Sequence, residues 1–548
     1  MNRPAPLRTV ARLALAGLFL VPAAFPAASC APVERDFGVA STGSASGPCE
    51  TAASCYTGPA GTEGVGACRA GSQVCDGEGY GACEGEVLPA VDDCTTPEDE
   101  DCDGVAAPCS LSTVWARGFL GVSPQDTPRL AMDGEGNIIV VGSFVEMIDF
   151  GDGDPLTTSA ERQPFIAKFD PYGTVLWSRK ISGTGQSAIK GLAVDALGRI
   201  LIAGDLSGEA IFDDTVLTNS QGFDDIFLAR LASATGNVDW AYGFGSTDYD
   251  RVNDLAVDEN GNPVLIGEFS GTLAFGSVSM TAQSGSESFL VKMSPDGVFG
   301  IYARNFGSSN GILDFEALAP DRAGGVLLSG RFSTTAPFDN VPLTSLGSND
   351  GFLAHFSSTG SAVSAKNLGG VEWDRTYDVT STPDDGSAVS GTFSGSVDFG
   401  GGPLEALDGS SFFVAAYDAE GSHRFSVAFG TGEDTGHSAV LRVDAEGNTV
   451  VTGYFNNEVT FGEETYPLTG TQDQDLDGFV VKLDGTGEVL ASRAIGTTLP
   501  EGIFDVVIDP SGTPVIVGMT VGGTLDLGTG PLPSDGMTPT LFIAKLAP

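Results

Sequence analysis

Acidic residues at alternate positions are the groups in this 548-residue chain whose spacing points most directly to chemistry. Asp473, Asp475, Asp477 and Gly478 place oxygen donors at positions 1, 3 and 5 and a turn at 6, and Asp484 falls at position 12, the spacing of a calcium loop. Asp484 is shorter than the Glu that usually closes such a loop, and the residues just before it recur elsewhere as a strand. Asp99, Asp101, Asp103 and Gly104 repeat the first half of the pattern, but their position 12 is Ser110, so the bidentate acid is missing. Calcium is the one cofactor these spacings suggest. Cys49, Cys55, Cys68, Cys75, Cys83, Cys94, Cys102 and Cys109 lie in a Gly-rich stretch too poor in apolar residues for its own core, so four disulfides of open connectivity are expected. Zinc is disfavoured, because the stretch has no His and no C-x-x-C pair. Nucleophilic and acid–base motifs are sparse. The three His, His355, His423 and His437, share no recurring position, and the G-x-S-x-G match at Gly307 to Gly311 has no strand-elbow-helix context. The expectation is a protein without enzymatic activity.

The elements that must position these groups come from a repeat. Gly142, Gly204, Gly267, Gly330, Gly391, Gly453 and Gly518 each close a β-type run at intervals of 62, 63, 63, 61, 62 and 65 residues. Two residues on stand Phe144, Leu206, Phe269, Phe332, Phe393, Phe455 and Thr520. Six further on come Phe150, Phe212, Phe275, Phe338, Phe399 and Phe461, with Leu527 in the last copy, and Phe165, Phe227, Phe289, Phe352, Phe413, Phe479 and Phe542 open the next apolar run. A fixed period of this kind marks units that hide their apolar faces only against their neighbours. The Phe are therefore expected as core wedges, and the Gly as points of close backbone approach.

Each unit holds four short β-rich runs. In the third copy these are DLAVD and NPVLIGEF around the turn Asp258 to Gly261, then FLVKM, a second turn, and Val298 to Phe306. Four strands repeated seven times predict an all-β fold, a seven-bladed β-propeller of four-stranded blades over residues 112–548. The pattern VDxxGNxxVxGxF…FG…FxAKxDxxG is similar to the bacterial seven-bladed β-propeller repeat family. The ends agree with a ring. Val114 to Arg117 parallels the fourth runs at Val175 to Arg179 and Val489 to Arg493, while Phe542 to Leu546 is a third run without a fourth. The N-terminal strand is thus expected to complete the last blade and remove two open edges.

Within a blade, the turns between runs one and two and between three and four open on one face. The longer, more variable connections open on the other, and a ligand is expected there. Candidate contacts on that face are Tyr249 and Arg251, Trp373 and Arg375, and His437. The ligand would be a protein or a glycan. A carbohydrate-active enzyme would need carboxylates converging on the axis, and a purely structural envelope role needs no ligand.

The N-terminus supplies the setting. Arg3, Arg8 and Arg12 precede the apolar run Leu13 to Phe25, too short to span a bilayer, so residues 1–29 are expected as a signal peptide. Ala27, Ala28, Ser29 and Cys30 resemble a bacterial lipobox, and setting Cys30 aside as a lipid-bearing residue leaves an even eight cysteines. Residues 30–48 read as a tether and 49–110 as the cysteine-rich module. Its phrases CYTGPAGTEGVGACRAGSQVC and EVLPAVDDCTTPEDEDCDG resemble a cysteine-rich metal-binding motif of bacterial surface proteins. The expected location is the cell envelope through a lipid anchor, or else secretion, as a monomer. A net charge of −46 disfavours nucleic acid as a partner.

Overall fold

The computed structural model describes residues 53–75, 79–89, 99, 102, 111–159, 162–218, 222–308, 311–430, 439–470 and 475–548, with no helix among them. The chain divides into two compact units, Met1–Ala107 and Pro108–Pro548. In the smaller unit, Ala53–Cys55 pairs antiparallel with Gly71–Gln73. Disulfides join Cys55 to Cys83 and Cys68 to Cys102, and Cys75 is disulfide-bonded as well. Cross-links of this kind replace a core that so short and Gly-rich a segment cannot build, and they form in an oxidising compartment. Cys30, Cys49, Cys94, Cys109, Asp101 and Asp103 lie outside the described residues, as do the expected signal peptide and tether. No helix among the described residues is long and apolar enough to cross a membrane.

Among the described residues of the larger unit there are seven four-stranded antiparallel sheets. In chain order their first strands are Arg129–Met132, Ala188–Val194, Asp250–Val257, Leu313–Pro320, Arg375–Ser381, Val440–Val443 and Glu501–Ile508. In the first six sheets the four strands follow one another in sequence. In the seventh the order is Glu501–Ile508, Pro514–Val521, Pro539–Leu546 and then Thr113–Leu120, so a strand that precedes the first sheet in sequence supplies the outer strand of the last. Trp115 faces Lys545 and Phe119 faces Leu541 in that pairing. The first strand of each sheet lies against the first strands of the sheets before and after it, and that of the seventh lies against that of the first. Sheets placed radially with their first strands innermost form a β-propeller.

Packing explains the repeat. A Cβ built on Gly204, Gly267, Gly330 or Gly391 would stand about 2 Å from a carbonyl oxygen of the adjoining first strand, at Ala188, Arg251, Asp314 and Arg375 respectively. The same Cβ would meet the ring of Phe227, Phe289, Phe352 or Phe413 at 3.0 Å or less. Only Gly lets the ring lie over the strand there. Those Phe, and the Phe or Leu at the two other recurring positions of the first six units, are buried between sheets. Phe338 alone packs on Phe306, Phe315, Phe352 and Phe356, which makes it a wedge shared by neighbouring sheets. Turn acids fix the hairpins: Asp133, Asp258 and Asp444 each accept the N–H groups two and four residues on.

Candidate binding site on the loop face

In five sheets the first strand carries a β-bulge, with register shifts at Ile189/Gly191, Val252/Asp254, Phe315/Ala317, Thr376/Asp378 and Ile503/Asp505. A bulge re-aims one side chain out of the ladder. The extra residues are Lys190, Asn253, Glu316, Tyr377 and Phe504, all on innermost strands at the loop-face end. The residue after each recurring Gly adds a second set on the adjoining strand: Ser143, Asp205, Glu268, Arg331, Thr392, Tyr454 and Met519. Together they divide the rim around the axis into two arcs.

Over sheets one to four the rim is charged. Arg162 and Lys190 reach Asp126 at 3.1 and 3.6 Å, Arg331 pairs with Asp314 at 2.7 Å, and Glu316 pairs with Arg375 at 2.5 Å. Asn253 donates to the Phe315 carbonyl at 2.7 Å. Burial pushes Asp205 up to about 6 against the pull of Lys190 and Arg251. It also raises Glu268, helped by the repulsion of Asp314 and Glu316. Over sheets five to seven the rim is aromatic: Tyr377, with the Arg375 guanidinium 5.0 Å from its ring centre, and Tyr454 and Phe504, 6.1 Å apart. Aromatic rings beside planar amide, carboxylate and guanidinium groups can stack on an apolar face and hydrogen-bond to hydroxyls at its edge.

Below the rim the innermost strands bear Arg129, Gly191, Asp254, Ala317, Asp378, Val440 and Asp505 at equivalent positions. Of these, Arg129, Asp254, Asp378 and Asp505 line a cavity of about 180 Å³ together with Arg442. Three carboxylates converge here, and each clasps the next sheet. Asp254, Asp378 and Asp505 accept the N–H of Leu318, Leu441 and Leu130 at 3.0, 2.9 and 2.8 Å through Oδ2, and their own following N–H through Oδ1. Arg442 bridges Asp378 at 2.7 Å and Asp505 at 3.3 Å. Burial disfavours its charge, but those two carboxylates outweigh that and raise its pKa. Burial pushes Asp254 up to about 6 and raises Asp505.

The residues expected from sequence are distributed as follows. Tyr249 and Arg251 do lie together on the loop face. The Arg251 guanidinium sits 5.3 Å from the Tyr249 ring centre, Phe223 stacks on the same ring at 4.6 Å, and Asp224 holds Arg251 at 2.9 Å. Trp373 is half-buried, and Arg375 turns toward Glu316 on the rim. Between them Asp374 is a brace, accepting the N–H of Gly370 and of Ser394. His437 and Asp473 are outside the described residues. The calcium loop closed by Asp484 is corrected: Asp477 and Asp484 stand at opposite ends of the strand Asp477–Leu483, roughly 23 Å apart at 3.3 Å per residue, too far to share an ion. Asp477 accepts the Thr469 N–H, while Asp484 holds the far turn through Thr486 and Glu488. Among the described residues no group of three or more His, Cys, Asp or Glu is arranged to hold a metal ion. In the smaller unit Asp99 is buried, and its carbonyl accepts the Ala67 N–H at 2.8 Å.

Reading the long loops as the variable part missed the rim, which lies inside strands. Its signal was present all the same: the position after the constant Gly runs Ser, Asp, Glu, Arg, Thr, Tyr, Met while its neighbours hardly change.

No family model matches the chain. An uncharacterized WD repeat-containing protein of Acanthamoeba polyphaga mimivirus is 25% identical over 159 residues, which is 26% of this chain and only 11% of that protein's length. A solved protein from Lactobacillus plantarum is similar over 78% of this chain and 98% of its own, with 12% identity and a TM-score of 0.40. The quinohemoprotein alcohol dehydrogenase of Comamonas testosteroni covers 79% of this chain and 76% of its own at 10% identity and a TM-score of 0.40. The gluconolactonase XC5397 of Xanthomonas campestris covers 80% and 91% at 12% identity and a TM-score of 0.30. At these identities the likeness concerns fold alone. It corrects one expectation: with a dehydrogenase and a gluconolactonase among the similar structures, the exclusion of enzymatic activity does not stand.

Proposed function

We propose that this chain is an exported envelope protein, anchored by a lipid on Cys30, whose seven sheets are the blades of a closed seven-bladed propeller that binds a glycan on its loop face. The observation that carries the reading is the rim, where the bulged positions of the innermost strands place Tyr377 and Phe504 on the same ring of strands as Asn253, Glu316 and Lys190, with Tyr454 beside Phe504. Aromatic faces set against planar polar groups suit a sugar ring, whose C–H face stacks and whose hydroxyls take the hydrogen bonds. The exposed stack of Phe223 and Tyr249 extends the same face outward, at 63% and 47% exposure. A glycan array probed with the full mature chain tests this: retention on saccharide spots is expected, and retention only on protein ligands would assign the face to a protein partner instead.

A second reading, a carbohydrate-active enzyme, draws on the axial carboxylates. Asp254, raised to about 6 by burial, has the proton affinity of a general acid at neutral pH. Reducing-sugar release that disappears in Asp254→Asn would favour it.

A further inference from the structure

The face opposite the rim carries its own repeated contact. In the outer strand of most sheets an aromatic ring lies on the Gly of the next sheet's last hairpin turn. Trp115 covers Gly173, Trp177 covers Gly236, Trp240 covers Gly297, Tyr302 covers Gly360 and Phe425 covers Gly487. A Cβ on any of those Gly would come within 2.6 to 2.8 Å of the ring, and every one of the five has positive φ. The two indoles nearest the chain's start also donate: Trp115 Nε1 to the Pro171 carbonyl at 3.2 Å, and Trp177 Nε1 to the Ser233 carbonyl at 3.1 Å. The outer strand of the sixth sheet has Ala491 in this register, opposite Lys482. No ring is needed there, because the last two strands of the seventh sheet, Pro539–Leu546 and Thr113–Leu120, are not consecutive and no hairpin turn joins them.

One seat keeps the turn but lacks the ring. In the fourth sheet the register position, opposite His355, is Ser364. The matching turn, Asp418 to Gly421, retains Gly421 with φ of 78°, and nothing lies within 4 Å of a Cβ built there. A cavity of about 600 Å³ opens in place of the ring, with Ser364, Ala365, Tyr417, Ala419 and Gly421 among its lining. The same sheet has His355 where others have a long cation. Lys168 and Lys292 reach across to the Ser233 and Gly324 carbonyls, whereas His355 stops at Asp321, 2.6 Å away. Two shortened side chains thus empty one inter-sheet space while its receiving turn is preserved.

We propose that this seat between the fourth and fifth sheets is a binding site for a planar aromatic ring bearing an N–H donor, an indole in chemical class. The ring would lie on Gly421 as Trp115 lies on Gly173, with its N–H directed to the Ala419 carbonyl, the counterpart of Pro171. Lys366, 4.8 Å from the Tyr417 ring centre, closes the side of the seat. The site is independent of the rim and of any glycan.

Calorimetric titration of the full chain with N-acetyltryptophan amide tests the assignment, with N-acetylalanine amide as the control and a Trp-containing pentapeptide to ask whether the ring is better presented by a chain. Saturable heat from the tryptophan amide alone, or more tightly from the pentapeptide, is the expected result. Ser364→Trp refills the seat from within, so it should raise the melting temperature and weaken binding at least tenfold. Ser364→Phe supplies the smaller ring that Phe425 brings to the equivalent seat on Gly487, and it serves if the first variant fails to fold. Absence of saturable heat with the wild-type chain, equal heat from the alanine amide, or undiminished binding in a folded Ser364 variant would overturn the proposal.

Discussion

Asp378 shows how a single residue ties the larger unit together. Its Oδ1 accepts the Val379 N–H, and its Oδ2 takes both the Leu441 N–H and the Arg442 guanidinium, so one carboxylate joins the fifth sheet to the sixth beside the axis. Removing it leaves the buried Leu441 N–H without its acceptor and Arg442 with a single paired carboxylate, Asp505 at 3.3 Å, beside the Leu441 carbonyl. An unpaired group of this sort costs on the order of 2–4 kcal/mol. Asp378→Ala is accordingly expected to lower the unfolding free energy by that amount, measured by chemical denaturation, whereas an exposed acid such as Glu463 should cost less than about 0.5 kcal/mol. The role of Asp378 was not legible in the sequence. Asp254, Asp378 and Asp505 recur in only three of seven copies, and their partners are backbone groups more than 60 positions away, a distance no local pattern spans. Phe and Gly were legible because packing and backbone approach recur in every unit and leave the same residue each time.

At the scale of elements, the pairing of Thr113–Leu120 with Pro539–Leu546 joins segments more than 400 residues apart. Arg493 adds to it, donating to the Leu111 carbonyl and the Thr113 hydroxyl at 2.9 and 2.8 Å. Deleting residues 112–119 would bare the edge of Pro539–Leu546 and expose the buried Phe542 and Leu546. The expected outcome is a melting temperature many degrees lower together with self-association in light scattering, and an unchanged monomeric melt would refute the closure. This element could be read from sequence, since the run Val114 to Arg117 matches the fourth runs of the other units and stands before the first unit without neighbours of its own. The bulges could not. They insert a residue without changing the apolar pattern around it, so the strands were expected and the aim of Lys190, Glu316, Tyr377 and Phe504 was not.

For the whole molecule, charge and burial combine into a pH dependence of unusual sign. Burial pushes Asp205, Asp250, Asp254 and Asp374 up to about 6 from an ordinary value of 3.8. A carboxyl raised on folding contributes stability that is full below 3.8 and is lost as pH rises through 6. Asp133, Asp258 and Asp509 behave oppositely. Burial works against their charge, but Lys168, Lys292 and Lys545 together with turn hydrogen bonds outweigh it and hold them low, so their contribution is lost as pH falls below 3.8. A net charge of −46 adds self-repulsion at neutral pH. The melting temperature is expected to be higher near about pH 5 than near about pH 7.5. Asp254→Asn with Asp374→Asn should flatten that slope, and a melting temperature that rises toward neutrality would refute the account of these buried acids.

The central claim is that the rim of the loop face is where this molecule meets a saccharide, and the most direct measurement is the affinity of the strongest array saccharide for three versions of the full chain. Tyr377→Ala with Phe504→Ala removes most of the aromatic arc, and Tyr172→Ala removes a 76%-exposed ring from the opposite face as a control. Loss of stacking on an aromatic ring costs roughly 1–3 kcal/mol per ring, so the double variant should bind at least tenfold more weakly while the control binds as the wild type does. Equal affinity in all three folded proteins, or a loss confined to Tyr172→Ala, would contradict the claim.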